Sequence, residues 1–213
     1  MKKSLSDKRV LITYGPTWVA IDDMRVISNR SSGTLGKLII NDLLAAGAAI
    51  IAFEGPILEP LKHLSIKIKK FVFFDDFKKI FNTELNRRYD IVIHAAAVSD
   101  FRPLQTINAK LPSDQPMALK LIPVKKLIQT VKRRSPGSIL VGFKLESTAC
   151  QRRLRQAAMK SIQINHCDLI VANSLKKGYL GFILNKDGSL AGQGKSRKTI
   201  SRQLINHLCR ISG

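Results

Sequence analysis

The chain has 213 residues, of which 45% are hydrophobic and 24% charged, and its 36 Lys and Arg against 15 Asp and Glu give a formal net charge of +21 at pH 7. The length suits one α/β domain, and the apolar content excludes a disordered chain despite the charge. We therefore expect a single domain over residues 1–213. Its positive field attracts polyanions, from nucleotides and phosphorylated metabolites to nucleic acids, and charge alone does not choose between them.

Three cysteines, Cys150, Cys167 and Cys209, lack C-x-x-C spacing and are typical of a reducing cytoplasm rather than of a disulfide framework. The N-terminal charges are not followed by an apolar stretch, and no apolar run approaches about 18 residues, so neither a signal peptide nor a membrane span is expected. No cluster of His, Cys, Asp and Glu predicts a tightly bound metal. We expect a cytoplasmic protein without a membrane partner.

Apolar runs alternate with helical patterns along the chain, which is typical of a doubly wound sheet. Apolar residues at helical spacing predict a helix over 33–46, two acidic residues open another at 75–76, and a third is predicted over 148–165. Strands are predicted at 9–13, 49–53, 66–73, 91–95, 139–143 and 169–172.

Two stretches depart from this alternation. Residues 100–116 contain three prolines without a period and predict an excursion from the sheet edge that returns through a short strand at 118–121. Residues 182–191 place Asp187-Gly188 between two apolar runs, which predicts a C-terminal hairpin. The predicted fold is an α/β, Rossmann-like doubly wound, mostly parallel sheet with these two appendages.

The turn before the first predicted helix reads Ser31-Ser32-Gly33-Thr34-Leu35-Gly36. A helix N-terminus offers unpaired backbone N–H groups and a partial positive charge, and glycine lets a phosphate approach the main chain closely. The turn is therefore a candidate anion site. Close packing of helix on sheet also selects glycine, so this alternative stays open.

Four segments carry a family resemblance: TYGPTWVAIDDMRVISNRSSGTLG from Thr13, IVIHAAAVSDFRP from Ile91, LVGFKLE from Leu140 and DLIVAN from Asp168. Together they resemble the phosphopantothenoylcysteine synthetase family, from Arg9 to about Leu208. The resemblance implies a free-standing ligase that joins 4'-phosphopantothenate to L-cysteine through an acyl-nucleotide in coenzyme A biosynthesis.

The same resemblance implies further properties. The co-substrate is expected to be CTP, with ATP as the alternative, and Mg²⁺ is expected to arrive with the nucleotide. A homodimer is implied, in which the excursion over about 100–118 is a flap that completes the neighbouring site. A separate decarboxylase is then a candidate partner.

The resemblance also implies the roles of individual residues. Asn29 matches the asparagine of the amide-forming half-reaction, and Lys110 matches a lysine that closes over the triphosphate. The alternatives are that Asn29 caps a loop or helix, that Lys110 is a solvated loop residue, that Asp100 caps a turn and that Phe143 is a core residue. The implied nucleotide-binding residues are Ser31, Ser32, Gly33, Ala96, Ala97, Asp100 and Phe143, with Asp100 also facing the magnesium.

The sequence departs from the family pattern on the triphosphate side of this site. Lys144-Leu145-Glu146-Ser147 replaces A-A-E-T, Ile122-Pro123-Val124-Lys125 stands at N-P-D-I, and Asn165-His166-Cys167 stands where a lysine is common. Two other functions therefore stay open. A non-catalytic, basic nucleic-acid-binding relative would explain the charge, and an NAD(P)-dependent oxidoreductase would use Gly33 and Gly36 with Glu54 at the ribose.

Overall fold

The computed structural model describes residues 4–63, 65–148 and 150–212. In chain order these residues form β1 (Arg9–Tyr14), β2 (Trp18–Ala20), β3 (Val26–Ser28), α1 (Thr34–Ala45), β4 (Ala49–Glu54), β5 (Lys67–Lys70), α2 (Phe74–Glu84), β6 (Ile91–His94), β7 (Phe101–Pro103), β8 (Leu121–Pro123), α3 (Gln129–Arg134), β9 (Ile139–Glu146), α4 (Gln151–Asn165), β10 (Leu169–Ser174), β11 (Leu180–Asn185), β12 (Leu190–Gly194) and α5 (Arg197–Ile211).

One eight-stranded sheet organises the fold, in the spatial order β12-β11-β10-β9-β6-β1-β4-β5. The six strands from β10 to β5 in that order are parallel to one another, whereas β11 and β12 are antiparallel to their neighbours. Two short hairpins, β2–β3 and β7–β8, lie outside this sheet. The predicted α/β, mostly parallel architecture is confirmed.

Helices cover both faces of the sheet because successive side chains of a strand point to opposite faces. On β1, Val10 and Ile12 pack into a core with α1 and α5, while Leu11 packs into a second core with α2, α3 and α4. All three side chains are fully buried. Burying an aliphatic side chain of this size contributes about 1.5–3 kcal/mol to the stability of the fold. Because alternate side chains of β1 face opposite sides of the sheet, this one strand contributes to both cores.

The strand order reverses at β1. The chain runs from β1 to β4 and β5 on one side and then crosses back to place β6 against the other edge of β1, in register from Val10↔Ile91 to Thr13↔His94. In open parallel sheets, a ligand crevice forms at such a switch point, outside the carboxyl ends of the strands. The geometry therefore directs attention to the residues that follow β1 and β6.

Two glycines determine how α1 enters the fold. Gly33 precedes the helix with φ of 69°, a left-handed conformation that glycine adopts without a Cβ clash. At Gly36, an added Cβ would lie 2.4 Å from the Cβ of Tyr14. The first turn of α1 therefore packs directly on the end of β1, so the packing alternative for these glycines accounts for Gly36.

Several element boundaries differ from the sequence predictions. The strand predicted over 66–73 is only Lys67–Lys70, because the chain then turns and Trp18 N–H donates to Val72 O at 2.9 Å. The strand returning from the excursion is Leu121–Pro123 rather than 118–121, because it pairs with Phe101–Pro103. The helix predicted from 148 begins at Gln151, and residue 149 lies outside the described part of the chain.

Candidate active site

A cleft of about 840 Å³ opens at the carboxyl ends of β1, β6, β9 and β10. It lies at the switch point, where the 28–36 turn, the end of β6 and the end of β9 meet. Among its lining residues are almost all of those that the sequence places in a site: Asn29, Ser31, Ser32, Gly33, Ala96, Ala97, Asp100 and Phe143.

Asn29 connects two walls of the cleft. Its Nδ2 donates to the main-chain carbonyls of Val98 at 3.0 Å and of Ala97 at 3.4 Å. The residue before α1 is Gly33, and no side chain caps the helix there, so Asn29 does not act as a helix cap. In this structure the Asn29 amide holds the 28–36 turn against the segment that follows β6.

The segment that follows β6 is itself supported by the loop after β1. Ala97 N–H donates to Gly15 O at 2.9 Å, and Thr17 N–H donates to Ala97 O at 3.3 Å. Ser99 N–H donates to the Thr17 hydroxyl at 2.9 Å. These bonds fix the small residues at Ala96 and Ala97, so the main chain there forms a firm floor that a planar group can approach.

The turn before α1 presents donors to the cleft. Ser32 Oγ lies 2.8 Å from Thr34 Oγ1 and accepts weakly from Thr34 N–H at 3.4 Å. The first N–H groups of a helix have no partner within the helix, so those of α1 are further donors at this turn. Within the described residues, α1 has no acidic residue in its first turn, which leaves the positive end of its dipole uncompensated. The arrangement suits an anion, as the sequence predicts.

Asp100 lies at the rim of the cleft, and within the described residues its side chain forms an ion pair rather than a turn cap. Its carboxylate forms a short ion pair with the ammonium of Lys126, which also lines the cleft, and each side chain is 52% exposed. Phe143 lines the cleft as well and packs partly against the core of α1 and α5, and its contact with a nucleotide stays a prediction.

His94 ends β6 behind these residues, and the sequence analysis assigned it no role. Its Nδ1 lies 3.1 Å from Thr13 Oγ1, and its ring lies 5.2 Å from that of Phe81, centroid to centroid. Burial lowers the pKa of His94 to about 4, so the ring is neutral at neutral pH. His94 therefore supports the cleft floor as an uncharged hydrogen-bonding group.

The cleft also contains cations to which the sequence analysis assigned no binding role, and it named Lys144 only as a departure from the family pattern. Arg197 stacks on Tyr179, with its guanidinium carbon 5.2 Å from the ring centroid, and Lys144 pairs with Glu146 at 3.0 Å. The signal for these positions was weak, because they come from the first turn of α5 and the end of β9, far apart in sequence. The cationic side chains that line the cleft are Arg30, Lys126, Lys144 and Arg197.

Lys110 is the predicted site residue that does not line the cleft. It is exposed, and the next residue, Leu111, is tied to the loop before β3: Leu111 N–H donates to Asp22 Oδ2 at 3.1 Å, and the Arg25 guanidinium donates to Leu111 O at 3.2 Å. Burial opposes ionisation of Asp22, but hydrogen bonds from main-chain N–H groups hold its pKa below the ordinary value. Lys110 therefore extends from an anchored segment outside the cleft of its own chain.

Glu54, the residue that would bind a ribose in the oxidoreductase alternative, is buried and does not line the cleft. It accepts from Tyr14 Oη at 2.5 Å and from Leu61 N–H at 2.8 Å.

Within residues 4–63, 65–148 and 150–212, no group of three His, Cys, Asp or Glu is placed to hold a metal ion. Over the same described residues, none of the helices has the length and apolar character needed to cross a bilayer.

Residues 5–209 match the protein family described as the DNA/pantothenate metabolism flavoprotein C-terminal domain. The chain belongs to this family. It is 39% identical over 176 residues to the coenzyme A biosynthesis bifunctional protein CoaBC of Thermococcus kodakarensis, covering 82% of this chain and 43% of that protein. The CoaBC protein of Methanocaldococcus jannaschii is 30% identical over 211 residues, covering 95% of this chain and 51% of the relative. The chain thus spans about half the length of the curated relatives that it matches.

Solved structures agree with this assignment. A crystal structure of the DNA/pantothenate metabolism flavoprotein from Streptococcus pneumoniae superposes with a TM-score of 0.85 and 26% identity, covering 96% of this chain and 99% of that one. The Rossmann-like fold and the family resemblance indicated by the sequence motifs are confirmed.

Proposed function

We propose that this member of the family is a ligase that condenses 4'-phosphopantothenate with L-cysteine through an acyl-nucleotide intermediate, with CTP as the preferred nucleotide. The observation that carries the proposal is the cationic cleft, in which Asn29 and the turn of Ser31 to Gly33 meet the floor at Ala96 and Ala97. Relatives named for coenzyme A biosynthesis support the choice of substrates.

The first step needs positive charge. The pantothenate carboxylate attacks the α-phosphate of the nucleotide, the bond to the β-phosphate breaks, and pyrophosphate leaves. The amides at the start of α1, the hydroxyls of Ser31 and Ser32, and the cationic rim are suited to bind phosphate oxygens. Mg²⁺ bound with the nucleotide would neutralise phosphate charge, and the exposed carboxylate of Asp100 is an appropriate oxygen ligand.

The second step needs a neutral donor. The cysteine amine attacks the acyl carbonyl, an oxyanion forms, and the nucleoside monophosphate departs with one carboxylate oxygen. Asn29 can donate to that oxyanion by exchanging its bond to Val98 O or Ala97 O for one to the intermediate. Removing one donor of this kind typically lowers turnover by a factor of about 10²–10³.

The position of Lys110 supports a shared site. Because Lys110 stands on an exposed segment outside the cleft of its own chain, we propose that it serves the cleft of a second copy in a homodimer. Mixing Asn29→Ala chains with Lys110→Gln chains tests this arrangement, since each mixed dimer would contain one site with both native residues. Activity that returns on mixing two inactive variants supports the dimer, whereas two variants that stay inactive together contradict it.

A coupled assay of pyrophosphate release tests the activity itself. With 4'-phosphopantothenate and L-cysteine present, CTP should give one pyrophosphate per amide formed, at a higher kcat/KM than ATP. Higher kcat/KM with ATP would refute the nucleotide assignment alone. If neither CTP nor ATP releases pyrophosphate in this assay, the proposed ligase activity is refuted.

A further inference from the structure

Cationic side chains outnumber carboxylates among the described residues that line the cleft. Arg30, Lys126, Lys144 and Arg197 contribute cations, and Asp100 is the carboxylate among the described lining residues. Of these cations, Lys126 is the one whose ammonium contacts that carboxylate. The pair therefore cancels, inside a cleft that is proposed to bind anions, the charge that would repel a phosphate.

The backbone fixes Lys126 opposite Asp100. Phe101 pairs with Pro123 in the hairpin β7–β8, and Val124 N–H donates to Asp100 O at 3.0 Å. Lys126 follows two residues later in the turn that leads to α3. Its side chain is thus carried by a paired segment rather than by an unattached loop, and its ammonium reaches the same rim as the Asp100 carboxylate.

The ion pair is one that a ligand can exchange. Each side chain is 52% exposed, and exposed pairs of this kind add little to stability. A phosphate group carries more negative charge than a carboxylate and accepts stronger charge-assisted hydrogen bonds from an ammonium. An incoming phosphate therefore competes favourably with Asp100 for Lys126.

We propose that Lys126 is a phosphate-binding residue of the cleft, which neutralises Asp100 when no ligand is bound and contacts a phosphate group of the ligand when one is. The inference deepens the proposed function and rests on it for the two phosphate sources, the nucleotide triphosphate and the phosphate of 4'-phosphopantothenate. It concerns binding, and Lys126 takes no part in bond making.

Calorimetric titration of Lys126→Gln tests the inference with three separate probes: CTP, 4'-phosphopantothenate and inorganic tripolyphosphate. Lys78→Gln is the matched control, because it makes the same charge change at an exposed position of α2 that does not line the cleft. Loss of a hydrogen bond to a charged group should weaken the affected probe by about 10- to 100-fold in Lys126→Gln. Lys78→Gln should bind every probe within about twofold of the wild type.

The probes distinguish the two sources of phosphate. Weaker binding of CTP and tripolyphosphate with unchanged 4'-phosphopantothenate places Lys126 at the triphosphate, and the reverse pattern places it at the pantothenate phosphate. Unchanged binding of all three probes, or equal weakening in Lys78→Gln, overturns the inference. If the wild type binds tripolyphosphate but neither CTP nor 4'-phosphopantothenate, the proposed function fails, while tripolyphosphate still decides the role of Lys126. If the wild type binds none of the three probes, both the role of Lys126 and the proposed function are refuted.

A double variant separates direct contact from mere neutralisation of Asp100. If Lys126 contacts the phosphate, Lys126→Gln combined with Asp100→Asn should remain at least about fivefold weaker than Asp100→Asn alone. If the two variants bind equally, Lys126 acts only by cancelling the carboxylate, and the direct contact is refuted. Unchanged unfolding temperatures in these variants would exclude a loss of fold.

Discussion

Replacing Asn29 by alanine separates the two half-reactions of the proposed mechanism. The variant loses two hydrogen bonds from Nδ2, one of 3.0 Å to Val98 O and one of 3.4 Å to Ala97 O. Because Asn29 is exposed and one bond is long, the free energy of unfolding should fall by only about 0.5–1.5 kcal/mol. The 28–36 turn should therefore stay in place.

The effect on amide formation should be much larger. If Asn29 donates to the oxyanion of the second step, its loss raises that barrier by about 3–4 kcal/mol, which slows amide synthesis by a factor of about 10²–10³. Quenched-flow experiments without cysteine should still show one pyrophosphate released per site. Adding cysteine should then give little amide, and the acyl-nucleotide should accumulate.

Two results would refute this reasoning. Amide synthesis at the wild-type rate would remove Asn29 from the second step. An equal loss of pyrophosphate release and amide would show that Asn29 only holds the turn against the segment after β6. Asn41→Ala, at an exposed position of α1 outside the cleft, is the control and should retain both half-reactions.

Three further changes test the support of the site. For His94, whose pKa falls from 6.5 to about 4 on burial, the unfolded chain binds more protons between these pH values, so stability should fall by up to about 3 kcal/mol as the pH drops from about 6.5 to 4. Urea titrations of His94→Gln should lack that component. Gly36→Ala places a Cβ 2.4 Å from Tyr14 Cβ and should destabilise the fold by about 1–3 kcal/mol and weaken CTP binding. Lys110→Gln should abolish most pyrophosphate release without cysteine while weakening CTP binding less, because its charge matters most when phosphate charge peaks.

Each of these predictions has a result that contradicts it. An unchanged stability difference between pH 6.5 and pH 4 in His94→Gln would show that other groups carry the acid sensitivity. Gly36→Ala should be compared with Gly137→Ala, where an added Cβ meets nothing within 4 Å, and equal stability of the two variants would refute the packing argument. A wild-type single-turnover rate of acyl-nucleotide formation in Lys110→Gln would make that residue an ordinary solvated lysine.

The centre of the sheet could be predicted from sequence because strands such as β1 and β6 are apolar runs buried on both faces. Val10, Leu11 and Ile12 show this, since consecutive positions fill opposite cores. The hairpin β2–β3 was missed because its three-residue strands are too short to show a period. The helix α5 has a capping Ser196 and buried Ile200 and Leu204, a signal that the sequence analysis did not use.

The site could be predicted only where chain order reflects proximity. The 28–36 turn belongs to the connection from β1 to α1, and β1 neighbours β6 in the sheet, so the meeting of this turn with the segment after β6 follows from topology. Lys126 reaches Asp100 through the pairing of β7 with β8, across an excursion without a pattern that could reveal it. His94 depended on burial, which turns a titratable ring into a neutral one and cannot be read from its neighbours in sequence.

Isotope transfer from the carboxylate of 4'-phosphopantothenate tests the central claim most directly. Substrate carrying ¹⁸O in that carboxylate is turned over with CTP and L-cysteine, and the products are analysed by mass spectrometry. An acyl-nucleotide intermediate should leave one ¹⁸O in CMP and none in pyrophosphate, since the departing monophosphate retains a carboxylate oxygen. Label in inorganic phosphate together with CDP, or amide formation with no label in CMP, would contradict the proposed chemistry.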